Sequence, residues 1–405
     1  MRHNLSNVFL PRTVVHDRSA SEHARIGSVR PEVIFPAKPQ CAGVIVVFSE
    51  RIFGNKVGDM KQSAELPQFA TAQWAPDILG KNFESLEFHL GADPDGESDI
   101  LTTLVRYHPT PSETDETHTL RPAVVYVHGM TDYFFQTHVA EFFHDHGFDF
   151  YGVDLRKCGR SHREGHSWHY STDLSQYHED LTAVCTFLAQ RYSSIIVIGH
   201  STGGLITPLW LDELRRTNPS LHRHMKALIL NSPWLDMMAP KILVKALTPW
   251  VKLKGKRSPK QPVRGGNLGT YGEALHISRH GEWDFNTKFK PITGHTKYMG
   301  WLRAVVQAQH AIHVGSVDAG VPTLSMCSQQ SRLRRAYSQQ SHTADTVLDV
   351  NQIKQWSPFI ARNVTTVQIP DGMHDLFLSK PPARTHALEQ CVFWLKNICG
   401  LPSDN

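Results

Sequence analysis

The sequence predicts an α/β protein: a mostly parallel, doubly wound sheet carrying an inserted cap. Three observations predict it. From about residue 83, short apolar β-branched runs alternate with amphipathic stretches, the strand–helix rhythm that builds parallel sheets. The run Ile195-Ile196-Val197-Ile198 leads straight into Gly199-His200-Ser201-Thr202-Gly203, and an apolar helical stretch, 205–211, follows. A buried strand, a tight Gly-x-Ser-x-Gly turn and a helix therefore stand in direct succession. Between about 235 and 315 the rhythm breaks into a mixture of tryptophans, prolines, glycines and basic residues, and then it recovers.

Residues 1–75 are rich in Arg, His, Ser and Pro and lack sustained periodicity, so they read as a loosely ordered leader. Met60 offers an alternative start that would leave 1–59 outside the native protein. The first part of the core is assigned to 76–234. Runs 83–90 and 100–107 read as strands joined by the turn-rich 91–96. A continuous apolar strand at 123–127 is what a sheet covered on both faces requires. A helix is expected over 134–146, a strand over 148–153, and an amphipathic helix over 174–192 with Leu181, Val184, Cys185 and Leu188 on its apolar side. The elbow strand and another at 227–230 follow. The cap is assigned to 235–315. The second part of the core, 316–405, supplies strands at 321–328 and 364–369 and helices at 350–360 and 384–398.

Composition bounds the function. The 405 residues carry 42 Lys and Arg against 38 Asp and Glu, a net charge of +4, which argues against a nucleic-acid partner. The six cysteines are scattered with no Cys-x-x-Cys pair, which points to a reduced, cytoplasmic protein. Cys391 and Cys399 fall on one expected helix, ~12 Å apart and too distant to bridge. No apolar run reaches the ~18 residues of a membrane span, and the first residues lack the apolar region of a secretory signal.

The elbow makes Ser201 the candidate nucleophile. Its tight turn strains the backbone and needs small neighbours, which Gly199 and Gly203 provide. A serine hydroxyl becomes reactive when an oriented base removes its proton. His374, in Gly372-Met373-His374-Asp375 just after the last apolar strand, is the histidine downstream of Ser201 with the right context. For the carboxylate, Asp345 is the choice within 344–350. Asp349 suits the start of the next helix, and Asp236 is a third option. The oxyanion calls for two aimed N–H groups: Thr202, directly after the nucleophile, and Met130, in the loop His128-Gly129-Met130 after strand 123–127.

This set resembles the α/β-hydrolase superfamily, particularly its monoacylglycerol lipase and lysophospholipase branch, often labelled serine aminopeptidase-like. The matching stretches are Tyr126-Val127-His128-Gly129-Met130, Asp154-Leu155-Arg156-Lys157-Cys158-Gly159-Arg160-Ser161, Gly199-His200-Ser201-Thr202-Gly203-Gly204, Ala344-Asp345-Thr346-Val347-Leu348-Asp349 and the His374 loop. The second has Lys157 where the family loop carries Gly, and its role there is structural. The resemblance covers roughly 83–400 and implies ester or amide hydrolysis with neither metal nor organic cofactor. It implies a small-molecule ester substrate, of the acylglycerol or similar lipidic kind.

Other patterns point elsewhere. His162, His166 and His169 have metal-like spacing but sit in a polar loop poor in carboxylates, so a solvated loop is expected. His144 to Asp149 matches a His-x-x-x-x-Asp pattern that here ends a helix and enters a strand. The basic run Lys252, Lys254, Lys256, Arg257, Lys260 reads as a solvated face, with peripheral contact to anionic lipid as the minor reading. Aminopeptidase-type cleavage would need a carboxylate for the substrate amine, with Glu273 and Glu282 as candidates. A binding protein without catalysis is the remaining alternative. Haloalkane- or epoxide-type chemistry needs an aspartate where Ser201 stands.

Overall fold

The computed structural model describes residues 66–109, 121–263, 265 and 268–401, all within the compact unit Met60–Asn405. Nine strands among these residues form one sheet: β1 (Ala75–Pro76), β2 (Phe83–Gly91), β3 (Ile100–Tyr107), β4 (Ala123–Val127), β5 (Asp149–Asp154), β6 (Ile195–His200), β7 (Met225–Asn231), β8 (Thr323–Ser328) and β9 (Val364–Ile369). Their spatial order is β1-β2-β3-β5-β4-β6-β7-β8-β9. Pairs up to β3–β5 are antiparallel, and every pair from β5–β4 to β8–β9 is parallel. Helices α1 (Thr137–Asp145), α2 (Tyr177–Leu188), α3 (Gly203–Thr217) and α4 (Pro219–His222) connect the strands as far as β7. Between β7 and β8 lie α5 (Lys241–Arg257), α6 (Gly269–Leu275) and α7 (Met299–His313). Then α8 (Val350–Trp356) precedes β9 and α9 (Pro381–Cys399) closes the fold.

The apolar central strands follow from coverage of both faces. Successive side chains alternate: Val125, Val127, Val197 and Leu228 join one buried cluster with residues of α2 and α3. Val124, Tyr126, Ile196, Ile198 and Ile229 join a second cluster with residues of α1 and α9. Helices on both sides make the sheet doubly wound.

Several boundaries differ from the periodic pattern for local reasons. The helix expected from 134 begins at Thr137, because the N–H of Phe134 donates to Asp154 Oδ1 at 2.8 Å and that of Phe135 to the side-chain oxygen of Gln136 at 3.0 Å. The helix expected over 350–360 ends at Trp356 and tightens into a turn at Ser357–Phe359, where Pro358 cannot donate. Residues 66–75 of the expected leader lie against the core. The Phe69 ring lies 4.9 Å from that of Phe187, tilted by 31°, and the Arg106 guanidinium lies 4.1 Å over the Trp74 ring. The rest of that leader, with Met60, lies outside the described residues.

The segment between β7 and β8 has two characters. The buried face of α7, with Trp301, Ala304, Val305 and Ile312, enters the same cluster as α2 and α3. By contrast α5 leaves Ile242, Leu247, Trp250 and Leu253 exposed.

The five described cysteines are free thiols, including Cys391 and Cys399. No helix among the described residues is long and apolar enough to cross a membrane. Lys157, where the resembling loop carries Gly, keeps the left-handed backbone that Gly would favour, at φ 60°. Its ammonium is fully buried and pairs with Asp93 at 2.7 Å and Glu97 at 3.0 Å. The β2–β3 connection is thereby tied to the loop after β5.

Candidate active site

Parallel strands put the loops after β4, β6, β8 and β9 at one edge of the sheet, and the expected site residues occupy these loops. After β6 the chain turns at Ser201, whose φ of 52° is left-handed. Two contacts explain why the elbow requires glycine. A Cβ on Gly199 would lie 2.5 Å from Thr207 Oγ1, and one on Gly203 would lie 2.5 Å from the carbonyl oxygens of both Val127 and His128. The helix α3 then starts directly behind the hydroxyl, with its positive end toward it.

The loop after β9 brings His374 over the elbow. Its Nε2 lies 3.0 Å from Ser201 Oγ, and its Nδ1 lies 3.0 Å from Asp345 Oδ2. Asp345 is fully buried, and its other oxygen accepts the N–H groups of Val347 and Leu348, both at 2.8 Å. The carboxylate is thus fixed by backbone while it faces the imidazole. The two other acidic candidates are engaged elsewhere. Asp349 caps α8 by accepting from Asn351 N at 2.9 Å. Asp236 accepts from Trp356 Nε1 at 3.1 Å.

The loop after β4 passes so near the elbow that a Cβ on Gly129 would lie 2.9 Å from that of Ser201. Met130 and Thr202 both line the cavity at this point, and neither N–H donates to another described residue. Two backbone donors therefore stand open beside Ser201.

Residues outside the expected set complete the surroundings. Asp375, next to His374, is fully buried. It accepts from Asn231 Nδ2 at 2.7 Å, Phe377 N at 3.0 Å and Gln136 Nε2 at 3.2 Å. Burial pushes its pKa up, but His200 and the hydrogen bond from Asn231 outweigh that and hold it below the usual carboxylate range. This hub anchors the histidine loop to β7 and to the start of α1. From the cap segment, Lys290 reaches Asp132 at 2.7 Å, with both side chains buried. The rings of Phe135, Tyr271 and Phe285 surround its ammonium at 5.5–5.7 Å. Tyr271 in turn stands edge-on to the His374 ring at 5.3 Å. An acidic residue next to the catalytic-type histidine was visible in the sequence. Nothing in the cap sequence marked Lys290 or Tyr271.

The His162–His169 loop, expected to be solvated, has His166 and His169 buried, and both it and the His-x-x-x-x-Asp pattern prove to be internal fastenings. His166 accepts from Arg163 N at 3.0 Å and sits 3.0 Å from the Ser98 carbonyl, and His162 sits 3.0 Å from the His166 carbonyl. No cluster of His, Cys, Asp or Glu among the described residues is arranged to hold a metal ion. Asp149 accepts from the Tyr192 hydroxyl at 2.7 Å.

These groups open into a cavity of about 440 Å³, within the range of small-molecule sites. Its floor carries Ser201 and His374. Its walls are mainly apolar, with Trp234, Met237, Leu302, Leu333 and Leu348 among them.

A nucleophile elbow on a largely parallel sheet, with the histidine loop after the last strand, defines the α/β-hydrolase class. The family described as serine aminopeptidase, S33 matches residues 118–377, and the chain belongs to that family. Among solved structures, a soluble variant of monoglyceride lipase from Saccharomyces cerevisiae, in complex with a substrate analog, is similar at 15% identity and a TM-score of 0.52, over 83% of this chain and 97% of that one. A thermostable carboxyl esterase from Bacillus coagulans, in complex with glycerol, is similar at 16% identity and a TM-score of 0.54, over 78% and 99%. At these identities the likeness is one of fold. No curated protein matches the sequence.

Proposed function

We propose that the chain hydrolyses carboxylic esters, acylglycerols or similar lipidic esters, through an acyl-enzyme on Ser201. The observation that carries this reading is the unbroken series Ser201 Oγ, His374, Asp345, joined by two contacts of 3.0 Å. In this mechanism His374 Nε2 takes the serine proton as Ser201 attacks the acyl carbon. Asp345 holds the ring by Nδ1 and stabilises its charge. The N–H groups of Met130 and Thr202 receive the oxyanion. His374 returns the proton to the leaving alcohol, and water then releases the acid. The apolar cavity wall suits an acyl chain.

The amide alternative has less support. Asp132 is the acidic residue among the described cavity-lining residues, and Lys290 already neutralises it. Glu282 is drawn to Lys380 and Arg384 at 3.0 and 2.9 Å. Glu273, the other candidate, is not among the residues that line the cavity, so no unpaired carboxylate among the described lining residues awaits a substrate amine. The test is labelling by a fluorophosphonate together with turnover of p-nitrophenyl esters and aminoacyl anilides. Wild type is expected to be labelled and to prefer esters. Ser201→Ala is expected to lose the label, and Asp345→Asn to lose about 10⁴-fold in kcat, while Asp349→Asn keeps its rate. A folded wild type that takes no label ends the proposal.

The same reading gives α5 a role as a peripheral lipid contact. Its exposed Ile242, Leu247, Trp250 and Leu253 lie on a helix that also carries Lys245, Lys252, Lys254 and Arg257, a combination suited to an anionic interface. Trp250→Ser is expected to weaken sedimentation with phosphatidylglycerol vesicles and to leave hydrolysis of a water-soluble ester unchanged.

A further inference from the structure

The loop that carries Met130 is strained at its next residue. Thr131 has φ 57°, a left-handed backbone that a β-branched residue adopts only when its surroundings impose it. The aim of the Met130 N–H therefore depends on what holds Thr131. The N–H of Thr131 donates to Nδ1 of His169 at 3.3 Å. His169 belongs to the loop after β5, is buried, and is itself left-handed at φ 54°. Its own N–H is fastened to the Lys157 carbonyl at 3.1 Å. Two strained residues from separate loops meet through one hydrogen bond.

The surroundings of the ring fix its tautomer. Cys158 Sγ lies 3.1 Å from the same Nδ1, and 3.2 Å from the Arg156 carbonyl oxygen. The thiol hydrogen goes to that carbonyl, whereas the Thr131 N–H can only donate, so Nδ1 accepts it and the ring proton sits on Nε2. That Nε2 is buried with no hydrogen-bond partner among the described residues. An orphaned buried donor is a cost that an apolar side chain would avoid, so the position is explained by what Nδ1 does. Burial, with His295, His128 and Lys290 nearby, holds the ring well below the ordinary histidine range and so keeps Nδ1 free to accept.

We propose that His169 is a positioning residue of the oxyanion hole. As a neutral ring protonated on Nε2, it accepts the Thr131 N–H, pins the peptide between Met130 and Thr131, and so aims the Met130 N–H at the developing oxyanion. This rests on the reading of Ser201 as nucleophile.

The experiment compares His169→Asn with His169→Ala in the full chain. Asparagine places an acceptor oxygen near the position of Nδ1 and tolerates left-handed backbone; alanine offers no acceptor. The readouts are kcat and KM for a p-nitrophenyl ester, and inhibition by a trifluoromethyl ketone, which adds the serine hydroxyl and mimics the tetrahedral oxyanion. Alanine is expected to lower kcat by about 10–100-fold with KM little changed, and to weaken the ketone by the same factor. Removing a donor outright costs about 10²–10³, and here the donor is misaimed rather than lost. Asparagine is expected to recover most of both. If the alanine variant does not fold, His169→Gln replaces it, with its amide oxygen displaced by one carbon and its kcat expected below that of asparagine. A folded alanine or glutamine variant with wild-type kcat and ketone affinity overturns the proposal. So does an asparagine variant that loses as much as the others. Fluorophosphonate labelling separates the two levels: an unlabelled, inactive wild type removes the serine reading, whereas an active, labelled wild type with indifferent His169 variants removes only this one.

Discussion

The elbow after β6 and the loop after β4 stand beside each other at the cavity floor, and each holds one residue in left-handed backbone: Ser201 at φ 52° and Thr131 at φ 57°. They are held in opposite ways. The elbow is held by what is missing, since Gly199 and Gly203 leave room where any Cβ would strike Thr207, Val127 or His128. The β4 loop is held by what is supplied from elsewhere: His169 takes the Thr131 N–H, and Lys290 from the cap takes the next side chain, Asp132. A turn built from small residues carries its reason in its own few letters. A turn braced by distant side chains does not.

That contrast can be broken from the supplied side first. Lys290→Met leaves Asp132 buried without its partner. Unfolding by urea is expected to show a loss of about 3 kcal/mol, the low end for a severed buried pair, because the cavity admits water. The double variant with Asp132→Asn is expected to recover much of it, and a neutral single variant would mean that the pair braces nothing. At the elbow, Gly203→Ala forces a methyl against two backbone carbonyls that cannot step aside. It is expected to cost about 1–3 kcal/mol, and labelling of Ser201 is expected to fall with it. The smallest effect sharpens the comparison by its sign. Thr131→Gly relieves left-handed strain worth about 1 kcal/mol or more, so the melting temperature should rise or hold while kcat falls. An alanine that stabilises position 203, or a glycine that destabilises position 131, would reverse this account.

Much of the site was legible because its parts are local. The elbow, the loop after β4 and the histidine after β9 each follow an apolar strand and carry glycine where the chain must turn. The acid was less legible. Asp345, Asp349 and Asp236 all sit at plausible places in the sequence, and only the path of the polar segment 329–349 decides which reaches His374. Asp345 does, at 3.0 Å, while Asp349 caps a helix and Asp236 meets Trp356. The roles of Asp375, Lys290, Tyr271 and His169 were silent for a related reason, although Asp375 and His169 both stood in motifs the sequence displayed. Each acts through a partner far along the chain, as Asn231 is to Asp375, 144 residues away, and no local pattern records such a meeting.

The amino-acid order by itself determined the doubly wound sheet, since strands covered on both faces must be apolar throughout. It also determined the turn at Ser201, since only glycines fit its corners. The tertiary structure alone decided which carboxylate meets the imidazole, which residues between β7 and β8 line the cavity, and what braces the loop after β4. Those choices depend on where independent segments come to rest against one another, and side-chain chemistry at long separation leaves no period or spacing to read.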